Sequence, residues 1–118
     1  MTLESELSPT LTLAKLSGQV DTLTATELET KLVDLAEKAS KALLVDCTDL
    51  TYINSAGLRF FLIVAKKMET DGGACAFCGL NANVRLVFET IGFDRILKLY
   101  ENRAVALEHL APPQAQAA

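Results

Sequence analysis

Hydrophobic residues along this chain repeat with two different periods, and each change of period marks a new element. Leu3 to Leu7 form a short run that turns at Ser8-Pro9-Thr10, and "LTLAKLSG" (11–18) places Leu11, Leu13 and Leu16 in imperfect alternation. Two such runs joined by a short polar turn read as an N-terminal β-hairpin. Leu28, Leu32 and Leu35 then recur at helical spacing, which predicts a helix over 25–38. Thr24 and Glu27 stand at its start with the spacing of a capping box, the hydroxyl meeting the later backbone N–H and the carboxylate reaching back.

Ala42-Leu43-Leu44-Val45 has no polar alternation and suits a strand buried on both faces, with Asp46 at its end. Ser55 to Thr70 has helical length, with a core stripe of Leu58, Phe61, Leu62 and Ala65, and Asp71-Gly72-Gly73 stops it. "ACAFCGL" reads as a strand, and "NANVRLVFETIG" as a helix with asparagine caps before it and Gly92 after it. "ILKLY" (96–100) is a possible last strand, and "NRAVALEHL" a final helix starting near Asn102. After the hairpin, strands and helices alternate. That order predicts one α/β domain over 1–110, with a central mixed, mostly parallel sheet of about four to five strands and about four helices covering it. "APPQAQAA" (111–118) has two prolines and no periodicity, and is expected to be a disordered tail.

Composition narrows the class. The chain has 118 residues, of which 50% are hydrophobic and 22% charged, a balance suited to one packed core. Net charge is −4 and the pI about 4.9. Without a basic stripe the domain lacks the phosphate-neutralising surface that nucleic-acid binding requires. Glu4 and Glu6 occupy the place where a secretory signal needs a basic start and an apolar core. The longest nearly apolar run, Phe60 to Ala65, is far too short to insert in a membrane. The expectation is a soluble cytoplasmic protein.

In open parallel sheets, ligands and partners meet the loops at the carboxyl ends of the strands. Gly18-Gln19-Val20-Asp21, Asp46 with Asp49, Ser55 and Gly79 all fall at such ends, so Asp21, Asp46 and Ser55 are expected to share one rim. Ser55 admits two readings. A serine before a helix is by default a cap, worth about 1 kcal/mol. It is also suitably placed for phosphorylation, since a helix N-terminus tolerates the added −1.5 to −2 charges (approximately) while the surface seen by a partner changes. The small neighbours Ala56 and Gly57 leave the hydroxyl open. In the following helix Phe60, Ile63 and Val64 lie off the core stripe, and Arg59 is the sole charge before Lys66. A helix apolar nearly all round is either buried or partnered, so residues beside Ser55 form a candidate docking patch unless neighbouring helices cover Phe60 and Val64.

Other chemistry is thin. "CAFC" has redox-pair spacing, but Cys75 and Cys78 fall within a predicted strand and three positions apart, hence on opposite faces. A zinc site would need Cys47, Cys75, Cys78 and His109 to converge, and the lone histidine suits the last helix's C-terminal end better. The aspartates more often cap turns than hold metal. There is no glycine-rich phosphate loop, and neither a cofactor nor catalysis is expected.

Three stretches resemble the STAS domain family, specifically its small stand-alone anti-sigma factor antagonists: "LSGQVDTLTATEL", "LLVDCTDLTYINSAGLRFFL" and "LNANVRLVFETIGFDRILKLY", together covering about residues 10–105. The family's D-S-[SA]-G-L element appears as Asn54-Ser55-Ala56-Gly57-Leu58, with asparagine where many members have aspartate. The resemblance implies that Ser55 is phosphorylated by an anti-sigma factor that is also a serine kinase, and that a metal-dependent protein serine phosphatase resets it. The unphosphorylated antagonist binds that kinase and frees a sigma factor or an analogous output partner. Asp21 and Asp46 would shape the rim, Asn54 would keep the cap, and Arg59 and Ile63, one and two turns along, would meet the partner. The protein itself would be a monomer or weak dimer. The alternative is a constitutive STAS-type adaptor of a membrane lipid or anion transporter that ignores Ser55, and a small redox enzyme built on Cys75 and Cys78 is a third reading.

Overall fold

The computed structural model describes residues 1–39 and 41–110, so the expected tail at 111–118 lies outside the described residues. Strands β1 (Thr2–Leu7) and β2 (Thr12–Val20) form the antiparallel N-terminal hairpin. Helix α1 (Ala25–Lys38), strand β3 (Ala42–Ile53), helix α2 (Ser55–Thr70), strand β4 (Ala74–Cys78), helix α3 (Ala82–Thr90), strand β5 (Lys98–Tyr100) and helix α4 (Arg103–Leu110) follow. The five strands lie side by side in chain order, and β2, β3, β4 and β5 run parallel. Each of α1, α2 and α3 therefore carries the chain from one strand to its immediate neighbour.

Alternation along the strands sorts side chains between two faces. Ala14, Leu16, Val45, Cys47, Cys75 and Phe77 point into the main core with Leu28, Leu32, Leu58, Phe61, Val64 and Phe88 from α1, α2 and α3. Phe61 stacks on Phe77 at 4.5 Å between ring centroids and meets Phe88 at 6.0 Å. Leu44, Ala76 and Cys78 point the other way, under Ala106 and Leu107 of α4. Three helices thus cover one face, and α4 covers part of the other.

The stripe on α2 is displaced from the expected one. Val64 is fully buried and Leu62 only partly, while Phe60 is half-buried against the core and Ile63 is exposed. The helix stops in a Schellman motif: Gly72, at φ +84°, donates to Glu69 O, and Gly73 donates to Met68 O at 2.8 Å.

Three expectations need correction. The capping box forms one turn earlier, between Asp21 and Thr24: Asp21 Oδ1 accepts from Thr24 N–H at 3.1 Å, and Thr24 Oγ1 accepts from Asp21 N–H at 2.9 Å. Thr24 already has helical backbone angles and its side chain caps nothing further on, while Glu27 pairs with Lys31 at 3.0 Å. Second, β3 does not end at Asp46 but runs on through "CTDLTYI" to Ile53. Beyond Asp46 it pairs only with β2, through register shifts around Ser17 and Gly18 that break the simple alternation. Third, β5 begins at Lys98, because a 3-10 turn at Phe93–Arg95 occupies the preceding residues.

Candidate functional site

The long β3 determines the site. Val20 and Ile53 are register partners at the ends of adjacent parallel strands, so the turns that follow them, at Asp21 and at Asn54-Ser55, emerge side by side. Asn54 N–H donates to Val20 O at 2.9 Å and ties the two ends together. Asn54 takes extended backbone angles (φ −89°, ψ 176°) and its Oδ1 accepts from Gly57 N–H at 2.9 Å, making it the N-cap of α2. Ser55 is the first helical residue. It is exposed, and its hydroxyl makes no hydrogen bond among the described residues.

The small residues have separate reasons to be small. A Cβ on Gly57 would sit 2.7 Å from Val20 Cγ1 and 2.8 Å from Ile53 Cγ1, so only glycine lets the helix start this close to the strand ends. Ala56 packs partly against the core. Arg59 is exposed one turn beyond Ser55, and Ile63, 44% exposed, lies a turn further. No acidic residue stands in the first turn of α2.

On the neighbouring turn, Asp21 Oδ1 also accepts from Leu23 N–H at 3.0 Å. The N–H of Thr24, more than any other contact, holds the Asp21 carboxyl below its ordinary value. This rigid turn presents Leu23 outward at 89% exposure. Sequence reading missed Leu23; its signal was an apolar side chain inside a polar Asp-x-x-Thr turn, where no core can reach it.

The expected rim is therefore only partly assembled. Asp21, Asn54, Ser55, Ala56 and Gly57 lie at the ends of β2 and β3, with Arg59 and Ile63 one and two turns further along α2, but Asp46 does not join them. Asp46 lies seven residues before Ile53, roughly 20 Å along the strand. It faces α4 and is buried. Its Oδ2 accepts from Arg103 Nη2 at 2.7 Å and Nε at 3.1 Å, and its Oδ1 from Thr48 Oγ1 at 2.6 Å. Burial pushes this carboxyl up, but the hydrogen bonds from Thr48 and Arg103 outweigh it and leave the group below its ordinary value. Gly79 lies against Thr48, at that same end of the sheet.

The cysteines are buried free thiols. Burial pushes Cys75 up to about 12 and Cys78 up to about 11, and raises Cys47 well above its ordinary value. Cys75 faces the main core and Cys78 faces α4, so they cannot work as an exchanging pair. His109 stacks on Tyr100 at 4.8 Å, near the end of α4. None of the described helices is long and apolar enough to cross a membrane.

A serine at the start of a helix, its cap supplied by the residue before it, stands at the joined ends of two parallel strands in an α/β domain. The chain belongs to the STAS domain family, whose pattern matches residues 2–106. It is 37% identical over 94 residues to a candidate anti-sigma factor antagonist, BtrV, of Bordetella bronchiseptica, covering 80% of this chain and 81% of that protein. An anti-sigma factor antagonist from Mycobacterium paratuberculosis superposes with a TM-score of 0.84 at 22% identity over 92% of each chain. The Bacillus cell fate determinant SpoIIAA in its phosphorylated form gives 0.70 at 15% identity, over 92% of this chain and 98% of that one. The latter two likenesses establish the shared fold.

Proposed function

We propose that this protein is an anti-sigma factor antagonist, a non-catalytic binding protein switched by phosphorylation of Ser55. The observation that carries the reading is the division of work at the corner. Asn54 provides the cap, so the exposed Ser55 hydroxyl is free for modification at no structural cost. The partner is an anti-sigma factor with serine kinase activity. It docks over Leu23, Asn54, Ser55, Arg59 and Ile63, with Asp21 fixing the turn that presents Leu23. Phosphorylation joins the γ-phosphorus of ATP to Ser55 Oγ and breaks the bond from that phosphorus to the β–γ bridging oxygen. ADP leaves, and a base on the kinase takes the hydroxyl proton. The dianion then stands where the partner docks and drives release, and a metal-dependent phosphatase hydrolyses it. The name carried by the relative at 37% identity supports this reading over a permanent transporter adaptor.

Affinity capture from the native cytoplasm, with wild type, Ser55→Ala and Ser55→Asp as baits, tests it. Wild type and Ser55→Ala should retain an ATP-binding kinase-like protein that Ser55→Asp loses. Added ATP should place phosphate on Ser55 of the wild type alone, read by mass spectrometry. Retention of the same membrane-transport subunits by all three baits would overturn the reading.

A further inference from the structure

Helix α1 uses acid-before-base pairs at four-residue spacing, whereas the pair at the end of α2, Lys67 with Asp71 at 3.9 Å, runs base before acid. Glu27 meets Lys31 at 3.0 Å and Asp34 meets Lys38 at 2.9 Å. Ser55 and Arg59 have the same order and spacing, but a hydroxyl stands in the acid's place. Both are exposed, and neither makes a hydrogen bond or ion pair among the described residues. Arg59 is also the sole charge between Ser55 and Ala65, on a stretch otherwise apolar or small. Side chains four apart on a helix have Cβ atoms about 5–6 Å apart, within reach of an arginine fork and a phosphate.

We propose that phosphorylated Ser55 takes Arg59 as its counter-ion, an inference that rests on the phosphorylation reading above. Modification then does two things to the docking face. It adds negative charge, and it withdraws the one cation that this part of α2 offers a partner. The side chain that meets Arg59 in the unphosphorylated complex is correspondingly acidic. The asparagine at position 54 fits this arrangement: it caps the helix without a carboxylate that would compete for Arg59. Asp21, on the adjoining turn, is the anion of the rim, and its carboxylate is held by the backbone of its own turn.

The test uses the full chain with phosphoserine encoded at position 55, so that no kinase is needed. Phosphorus NMR follows the second ionisation of the phosphate in wild type, Arg59→Lys and Arg59→Gln. The Asp21 charge is common to all three. In Arg59→Gln the midpoint should rise by about 0.3 pH units, with Arg59→Lys close to wild type and the difference shrinking at high salt. Identical midpoints in wild type and Arg59→Gln would overturn the proposal, and a role of Arg59 in folding alone would move the melting temperature without moving the midpoint. Continued binding of the captured kinase by the phosphoprotein, with the midpoint shift present, would instead overturn the switch while leaving the ion pair standing.

Discussion

At the corner between β3 and α2, adjacent residues carry separable tasks. Gly57 lets the helix approach the strand ends, Asn54 caps it, and Ser55 does neither. Gly57→Ala places a methyl within contact distance of Val20 and Ile53 side chains, which are themselves packed in the core. Urea denaturation should show a loss of about 2 kcal/mol, in the range of overpacked cores. Asn54→Ala removes the bond to Gly57 N–H and should cost about 1 kcal/mol. Ser55→Ala touches no bond among the described residues and should stay within about 0.5 kcal/mol of wild type. A Ser55→Ala loss as large as that of Asn54→Ala would show that the serine, not the asparagine, holds the helix. The residues of "NSAGL" alone left the cap open between Asn54 and Ser55; the family resemblance implied Asn54, and the structure places the cap there. Both side chains can cap, and the register of the helix start depends on how far β3 runs. Leu23 was illegible for a related reason: whether a lone leucine in a turn is covered depends on tertiary neighbours.

The elements that periodicity fixed well are the helices, whose apolar residues repeat over two or more turns; α2 and α3 begin after asparagine caps and run into glycine. β3 was harder, because its second half carries Thr48, Asp49, Thr51 and Tyr52 and is bent by register shifts. Misreading its end moved Asp46 to the wrong place. Asp46 instead joins β3 to α4, fifty-seven positions away in sequence, and no local pattern announces a contact of that range. Its worth can be measured. Arg103→Leu leaves a buried carboxylate without its cation, held by Thr48, and should cost about 2 kcal/mol at neutral pH, allowing for the partly exposed arginine. The cost should depend on pH. The folded carboxyl lies below its reference value of 3.8, so its contribution is complete above that value and is lost as pH falls through the lower folded value. Once Asp46 is protonated the arginine has no charge to meet. The stability gap between wild type and Arg103→Leu should therefore narrow below about pH 4. A gap constant from pH 7 to pH 3 in denaturant titrations would mean that Arg103 acts through packing alone.

On the scale of the whole molecule, the sheet keeps the candidate site apart from the α4 packing. The β2–β3 strand ends carry the corner proposed as the docking site, while part of the far face is covered by α4 and the Asp46–Arg103 pair. Alternating strands and helices made the mostly parallel sheet legible, while the order of its strands came from the structure. The consequence for a switch is that phosphate can be added without disturbing the core. Ser55 is exposed and makes no bond among the described residues. A dianion at the first helical position meets the unpaired N–H groups and the positive end of the helix dipole, an interaction worth about 0.3–1 kcal/mol. Phosphorylation should therefore raise the melting temperature by roughly 1–6 °C, rather than lower it, in a domain of this size. The same modification should weaken binding to the kinase-type partner by at least about 100-fold, which is a change of roughly 3 kcal/mol at the interface. Calorimetry of phosphorylated and unphosphorylated protein, alone and with the partner, measures both. A lower melting temperature on phosphorylation would mean that the modification works by loosening α2, and that the corner is a structural trigger rather than a surface read by charge.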